Sequence, residues 1–177
     1  CDQRGVRFIY GLSPGLDVRF SDETERNRIK ARFDQLFKVG VRHFALLFDD
    51  LPGNMDDVDR SKYESLAAAQ SDLANAIFAW TRAKSAGTRF LFCPTPYCDR
   101  MDRAQHGGPS YLDDMGRWLH EEIDILWTGP EIVSPEIPVA SIERLSRRIG
   151  RLPVLWDNLF ANDYDFRGLH CGPYSGR

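Results

Sequence analysis

A chain of 177 residues that is 42% hydrophobic and 12% aromatic can bury a substantial core, which excludes wholesale disorder. The formal net charge of −3, from 23 basic and 26 acidic residues with no basic block, offers nothing to attract nucleic acid or an anionic membrane surface. No apolar run approaches the ~20 residues that a bilayer-spanning helix needs.

Val6 to Leu12 (VRFIYGL) reads as the first buried strand, because its aliphatic and aromatic character is near-continuous. A helix from about Asp22 to Val39 follows, with Ile29, Phe33 and Leu36 on one stripe and Gly40 as its C-terminal stop. The second strand is His43 to Phe48. The pattern Ser61-Lys62-Tyr63-Glu64 then has the form of a capping box and opens a predicted helix to about Ala83, with Leu66, Leu73, Ile77 and Trp80 on one side. Arg89 to Cys93 is the third strand. Helices from about Tyr111 to His120 and Val139 to Ile149 flank a fourth, Ile123 to Thr128, and Leu152 to Asp157 is the fifth. Leu112, Met115 and Leu119, and Ile142, Leu145 and Ile149, are the inward residues of those two helices.

Strand–helix alternation with connections of this length predicts parallel strands covered by crossover helices, an α/β fold without an internal linker or repeat. Pattern alone fits either an open doubly wound sheet or an arc of a (β/α)8 barrel, and the chain is shorter than the ~200 residues of a complete barrel. The polar start at Cys1-Asp2 has no signal-peptide stretch behind it, which leaves a cytosolic protein or a trimmed segment. The cysteines Cys1, Cys93, Cys98 and Cys171 fit no extracellular disulfide framework and are expected as free thiols.

In both architectures ligands gather at the carboxyl ends of the strands. Those ends are Ser13-Pro14-Gly15, Asp49-Asp50, Pro94-Thr95-Pro96-Tyr97, Thr128-Gly129-Pro130, and Trp156-Asp157-Asn158 running on to Asn162-Asp163-Tyr164; all five could converge on one cleft. Adjacent carboxylates repel, which favours a protonated acid beside an anion. The alternative for Asp49-Asp50 is a solvated acidic turn continued by Asp56, Asp57 and Asp59.

Two glycosidase carboxylates that flank a sugar stand about 5 to 9.5 Å apart, whereas neighbouring Cα atoms are about 3.8 Å apart. Adjacent acids better suit a substrate that supplies its own nucleophile, such as a 2-acetamido sugar, with one Asp orienting that group and the other protonating the leaving oxygen. Trp127 and Trp156 could each form an apolar platform for a sugar or fill the core. Asn158, Asn162 and Asp163 could direct hydroxyls or shape turns. The acidic loop lacks EF-hand spacing, Cys93 and Cys98 with four histidines form no zinc-ligand set, and no GxSxG or phosphate loop occurs.

The ordered blocks SPGLD (Ser13 to Asp17), FALLFDD (Phe44 to Asp50), FCPTPYC (Phe92 to Cys98), LWTGP (Leu126 to Pro130), WDNLFANDYD (Trp156 to Asp165) and GPYSGR (Gly172 to Arg177) resemble the catalytic domain of glycoside hydrolase family 84. That is the family of protein O-GlcNAcases and related β-N-acetylglucosaminidases. The resemblance covers essentially the whole chain and implies a (β/α)8 barrel and retaining, substrate-assisted hydrolysis through an oxazoline, without metal or organic cofactor. It implies that Asp49 orients the acetamido group and that Asp50 is the general acid and later the base. By the same likeness Tyr97 lies beside the reaction centre, Cys93 and Trp156 wall the acetamido-methyl pocket, and Asn158 supports its polar side. Asp163 is implied to bind outer hydroxyls and Tyr164 to border the aglycone.

The implied partners are O-GlcNAc-modified proteins or peptides, or small N-acetylglucosaminides, in the cytoplasm or, in a eukaryote, the nucleus and cytoplasm. Two βα units that begin the family's barrel, with a Gly-Phe-Tyr-Gly block and a lysine, and the strand that closes it, are not in this sequence. The chain therefore resembles strands three to seven, as a single unit over residues 1–177 that forms an incomplete catalytic domain. Pro96 and Pro52-Gly53 differ from the family pattern. Two other readings remain at this point: a silent module that holds N-acetylglucosamine-bearing peptide, and a Mg2+-dependent hydrolase built on Asp49 to Asp59.

Overall fold

The structure, a computed structural model, describes residues 2–158 and residue 161. Five parallel strands form one sheet in the order β1-β2-β3-β4-β5: β1 (Ile9–Leu12), β2 (His43–Leu47), β3 (Phe90–Cys93), β4 (Asp124–Trp127) and β5 (Val154–Leu155). The register sets Leu12 opposite Leu46, Leu47 opposite Cys93, Phe92 opposite Ile125 and Trp127 opposite Leu155.

Alternation along the strands sorts the side chains onto two faces. Phe44, Leu46, Phe48, Phe90, Phe92, Ile125 and Trp127 point to the side that the helices cover, where they pack with Phe33, Leu73, Ile77, Met115 and Leu145. Ala45, Leu91, Cys93 and Leu126 point to the other side and, among the described residues, pack with strand and strand-end residues such as Ile9, Leu47, Tyr97, Val154 and Trp156. A doubly wound sheet would carry helices on both faces and reverse its strand order. Here the winding runs one way with helices outside, as in an arc of a (β/α) barrel.

Helix α1 (Glu23–Lys38) starts where the Asp22 carboxylate accepts the Thr24 N–H at 2.8 Å and stops before Gly40, whose φ of +95° favours glycine. The predicted helix from Ser61 begins four residues late. Ser61 closes a short helix, α2 (Asp57–Arg60), and the cap of α3 (Leu66–Lys84) is Ser65, whose Oγ accepts the Ala68 N–H at 3.1 Å. The local box pattern loses to tertiary contacts: Tyr63 is drawn out of helical register, with its hydroxyl donating to Asp72 at 2.7 Å and accepting from Arg26 at 3.0 Å.

Helix α4 (Asp99–Arg103) was not anticipated. It has no side-chain cap, and its leading N–H groups, Asp99 and Arg100, donate instead to the carbonyls of Gly129 and Pro130, both at 3.0 Å. Helices α5 (Tyr111–Trp118) and α6 (Val139–Ile149) lie close to their predicted bounds and nearly touch, because Gly116 leaves no room for a Cβ against the Arg148 carbonyl. No helix among the described residues is long and apolar enough to cross a membrane.

Candidate active site

The sheet places the ends of β2 to β5 around a cleft of about 320 Å3, lined by Asp49, Asp50, Cys93, Tyr97, Thr128, Ile132, Trp156, Asn158 and Ala161. A roomier cleft of about 430 Å3 lies on the outer face, where Lys62, Tyr63 and Trp118 line it. Its lining comes from α3, the segment before it and the end of α5, with no residue that ends a strand, where parallel folds assemble chemistry.

Asp49 continues the inward parity of Ala45 and Leu47 and is half-buried, while Asp50 stands exposed beside it. Burial is the main cause that pushes the Asp49 carboxyl above its ordinary value; its own backbone N–H opposes the shift, and the Asp50 charge adds to it as the smallest contribution. Repulsion within the pair was the cause expected from sequence, and desolvation outweighs it.

Cys93, the last residue of β3, and Tyr97, in the segment that follows it, face both acids. Burial, with Asp49 and Asp50 adding to it, raises the Cys93 thiol well above its usual range, so its sulfur is a neutral wall. Burial likewise pushes the Tyr97 hydroxyl up to about 12, which keeps its proton available for donation. Cys93 and Cys98 are free and buried.

The rim is held by bonds between neighbouring strand ends. The Thr128 N–H donates to the Tyr97 carbonyl at 3.0 Å and its hydroxyl to the Glu131 carbonyl at 2.7 Å, and Asn158 Nδ2 donates to the Ile132 carbonyl at 2.9 Å. Ile132 and Thr128 carried no site signal in sequence beyond their place after a strand. Ile132 arrives through the turn at Gly129, where φ is +99° and a Cβ would stand 2.8 Å from Ser134 Oγ. The Pro52-Gly53 loop is wedged against the loop that follows α4: a Cβ on Gly53 would lie 3.0 Å from both the Gly107 nitrogen and the His106 ring.

Six of the residues singled out in sequence, Asp49, Asp50, Cys93, Tyr97, Trp156 and Asn158, thus share one cleft. Asp163 and Tyr164, with Asn162 and the Gly172 to Arg177 block, lie outside the described residues. Ser13-Pro14-Gly15 does not line the cleft; the segment after β1 contributes instead to a neighbouring groove with Leu16, Asp17, Leu51 and Met55. Trp127 is a core residue, 1% exposed, whereas Trp156 lines the cleft. Because Trp127 pairs with Leu155, Trp156 is one residue out of step and faces the opposite side of the sheet.

The acidic loop is mixed: Asp56 and Asp57 are exposed, whereas Asp59 is buried. Asp59 is 1% exposed and accepts the backbone N–H groups of Phe20 and Ser21 at 2.8 and 2.9 Å. Asp56 caps α2 and pairs with Arg19, and Asp57 pairs with Arg60. Among the described residues no three His, Cys, Asp or Glu side chains are grouped so as to hold a metal ion.

A family model described as beta-N-acetylglucosaminidase matches residues 1–177. The Protein O-GlcNAcases of Rattus norvegicus and Mus musculus are each 45% identical over 172 residues, covering 97% of this chain and 18% of the relative. The chain therefore spans less than a fifth of the length of those curated relatives. A mutant O-GlcNAc hydrolase from Thermobaculum terrenum superimposes with a TM-score of 0.80 at 28% identity, covering 89% of this chain and 33% of that one. The chain belongs to the β-N-acetylglucosaminidase family.

Proposed function

We propose that this chain carries the catalytic acids of a glycoside hydrolase that removes β-linked N-acetylglucosamine from Ser or Thr of proteins, with retention. The single observation behind the reading is that Asp49 and Asp50, adjacent in sequence, border the same cleft as Tyr97, Cys93, Trp156 and Asn158. In this reading the chain is part of a larger barrel, and the protein acts in the cytoplasm, or in the nucleus and cytoplasm of a eukaryote.

The Asp49 carboxylate accepts the acetamido N–H and orients the carbonyl oxygen for attack on C1. Asp50, at the open mouth, gives its proton to the glycosidic oxygen as the C1–O bond breaks, leaving an oxazolinium whose N–H stays hydrogen-bonded to the Asp49 carboxylate, and the free hydroxyl of the protein. Asp50, now a carboxylate, takes a proton from water as that water attacks C1 and reopens the ring. Two inversions give retention. Cys93 and Trp156 offer an apolar wall to the acetamido methyl, and the Tyr97 hydroxyl donates toward the reacting amide. Asn158, with one amide proton already given to Ile132, keeps a donor and an acceptor for the sugar. Asp163 and Tyr164 take the outer hydroxyls and the aglycone side.

The test is turnover of N-acetylglucosaminides by the intact protein. Asp50→Ala should lower kcat/KM on a poor leaving group by about 10²- to 10⁴-fold and much less on an activated aryl leaving group, while Asp49→Ala should impair both. An Asp50→Ala enzyme that cleaves the poor leaving group at the wild-type rate refutes the acid assignment. Affinity for glycosylated peptide without turnover in the wild type would mark a silent binding module instead.

A further inference from the structure

Beneath the cleft lies a closed set of hydrogen bonds among three side chains. Gln70 on α3 and Thr95 after β3 are wholly buried, as is Tyr111 at the start of α5. Gln70 Nε2 donates to Thr95 Oγ1 at 2.8 Å, Tyr111 Oη donates to Gln70 Oε1, and the Thr95 N–H donates to Tyr111 Oη at 3.4 Å. The Thr95 hydroxyl then gives its own proton to the Phe48 carbonyl at 2.9 Å. That carbonyl belongs to the peptide unit that leads into Asp49, and the Phe48 N–H on the other side donates to the Cys93 carbonyl at 3.0 Å.

Apolar side chains could fill this space with less risk of an orphaned polar group, so stability alone gives no reason for the set. What it adds is direction. Burial raises the Tyr111 phenol and keeps its proton in place, so donation runs from Tyr111 through Gln70 and Thr95 to Phe48. The far end of that series, together with the Leu51 N–H that donates to the same carbonyl at 3.3 Å, holds the plane of the Phe48–Asp49 peptide and hence the bearing of the Asp49 side chain. Gly107, whose Cβ would lie 2.7 Å from Tyr111 Cδ2, lets the overlying loop close against the phenol ring.

We infer that Thr95, oriented by Gln70 and Tyr111, is a positioning residue for Asp49, aiming the carboxylate that polarises the acetamido group. This rests on the glycosidase reading above, and a double-substitution cycle in the intact protein separates the two. Thr95→Val keeps the side-chain shape and removes the hydroxyl. With an aryl N-acetylglucosaminide, kcat should fall about tenfold with KM changed less than about twofold, and Thr95→Ser should recover most of the rate.

In an Asp49→Asn background the same Thr95→Val change should cost less than about twofold, because the group it aims is gone. Undiminished kcat in Thr95→Val, or an equal loss in both backgrounds, overturns the inference. Tyr111→Phe removes the first donor and leaves Thr95 intact. It should show a smaller Asp49-dependent loss, and it decides the matter if Thr95→Val does not fold: undiminished kcat there overturns the inference too. Should Asp49→Asn turn over as fast as wild type, the glycosidase reading itself fails, and the inference with it.

Discussion

Replacing Asp59 by alanine tests whether the acidic loop is a structural clasp. Its carboxylate, 1% exposed, accepts the amides of Phe20 and Ser21 and so ties the segment after β1 to the one after β2. Hydrogen bonds to a charged acceptor contribute about 1.5–3 kcal/mol each. Phe20 is buried, so its amide loses the whole bond; half-buried Ser21 can recruit water and loses less. Relief of the buried carboxylate's desolvation offsets part of the sum, which leaves about 2–4 kcal/mol. At 1.4 kcal/mol per tenfold, amide exchange at Phe20 and Ser21 should accelerate by about 30- to 700-fold. Hydrogen–deuterium exchange of the intact protein, followed on peptides around residues 18–24, reads this directly, and Asp59→Asn, which retains one acceptor oxygen, should give roughly half the free-energy change. Exchange within about threefold of wild type at those two amides, or recovery of protection on adding Mg2+, would refute the reasoning.

Asp49→Asn should raise the melting temperature at pH 7. The folded-state value of Asp49 lies above its ordinary 3.8, so the native state holds a proton that the unfolded chain has released, and the carboxylate costs stability as pH rises from 3.8 through the folded value. A melting-temperature difference that persists unchanged well below pH 3.8 would contradict this. Gly116→Ala should destabilise by at least about 1–3 kcal/mol, since the new Cβ would stand 2.3 Å from the Arg148 carbonyl and 2.9 Å from Ile149 Cα. Gly87→Ala, with nothing within 4 Å, is the matched control for urea melts, and equal midpoints for the two variants would refute the close approach of α5 and α6.

The strands and the long helices are legible in sequence because burial of whole faces writes a period into the chain. The site is legible as far as it follows from position: Cys93 ends a strand, Asp49, Asp50, Tyr97, Trp156 and Asn158 lie in the segments just after strands, and parallel folds put their chemistry there. What escapes is whatever depends on a distant partner. Ser61 has the form of a cap until Tyr63 is claimed by Arg26 and Asp72. Trp127 and Trp156 look equivalent until the pairing of Trp127 with Leu155 sends them to opposite faces. Asp59 looks like one more surface acid because the amides it holds lie 38 and 39 residues away. Gln70, like Ser71 and Thr81, is a polar side chain on the buried side of α3, and its amide needs a partner that sequence cannot name.

The wedge of Gly53 against His106 and Gly107 bears on how chains of this family could be recombined. Two stretches more than fifty positions apart share one van der Waals boundary, so neither is an independent module. A chimera that imports residues 51–57 from a homologue has to import residues 104–108 from the same donor, or it places a mismatched seam beside the mouth where Asp50 stands.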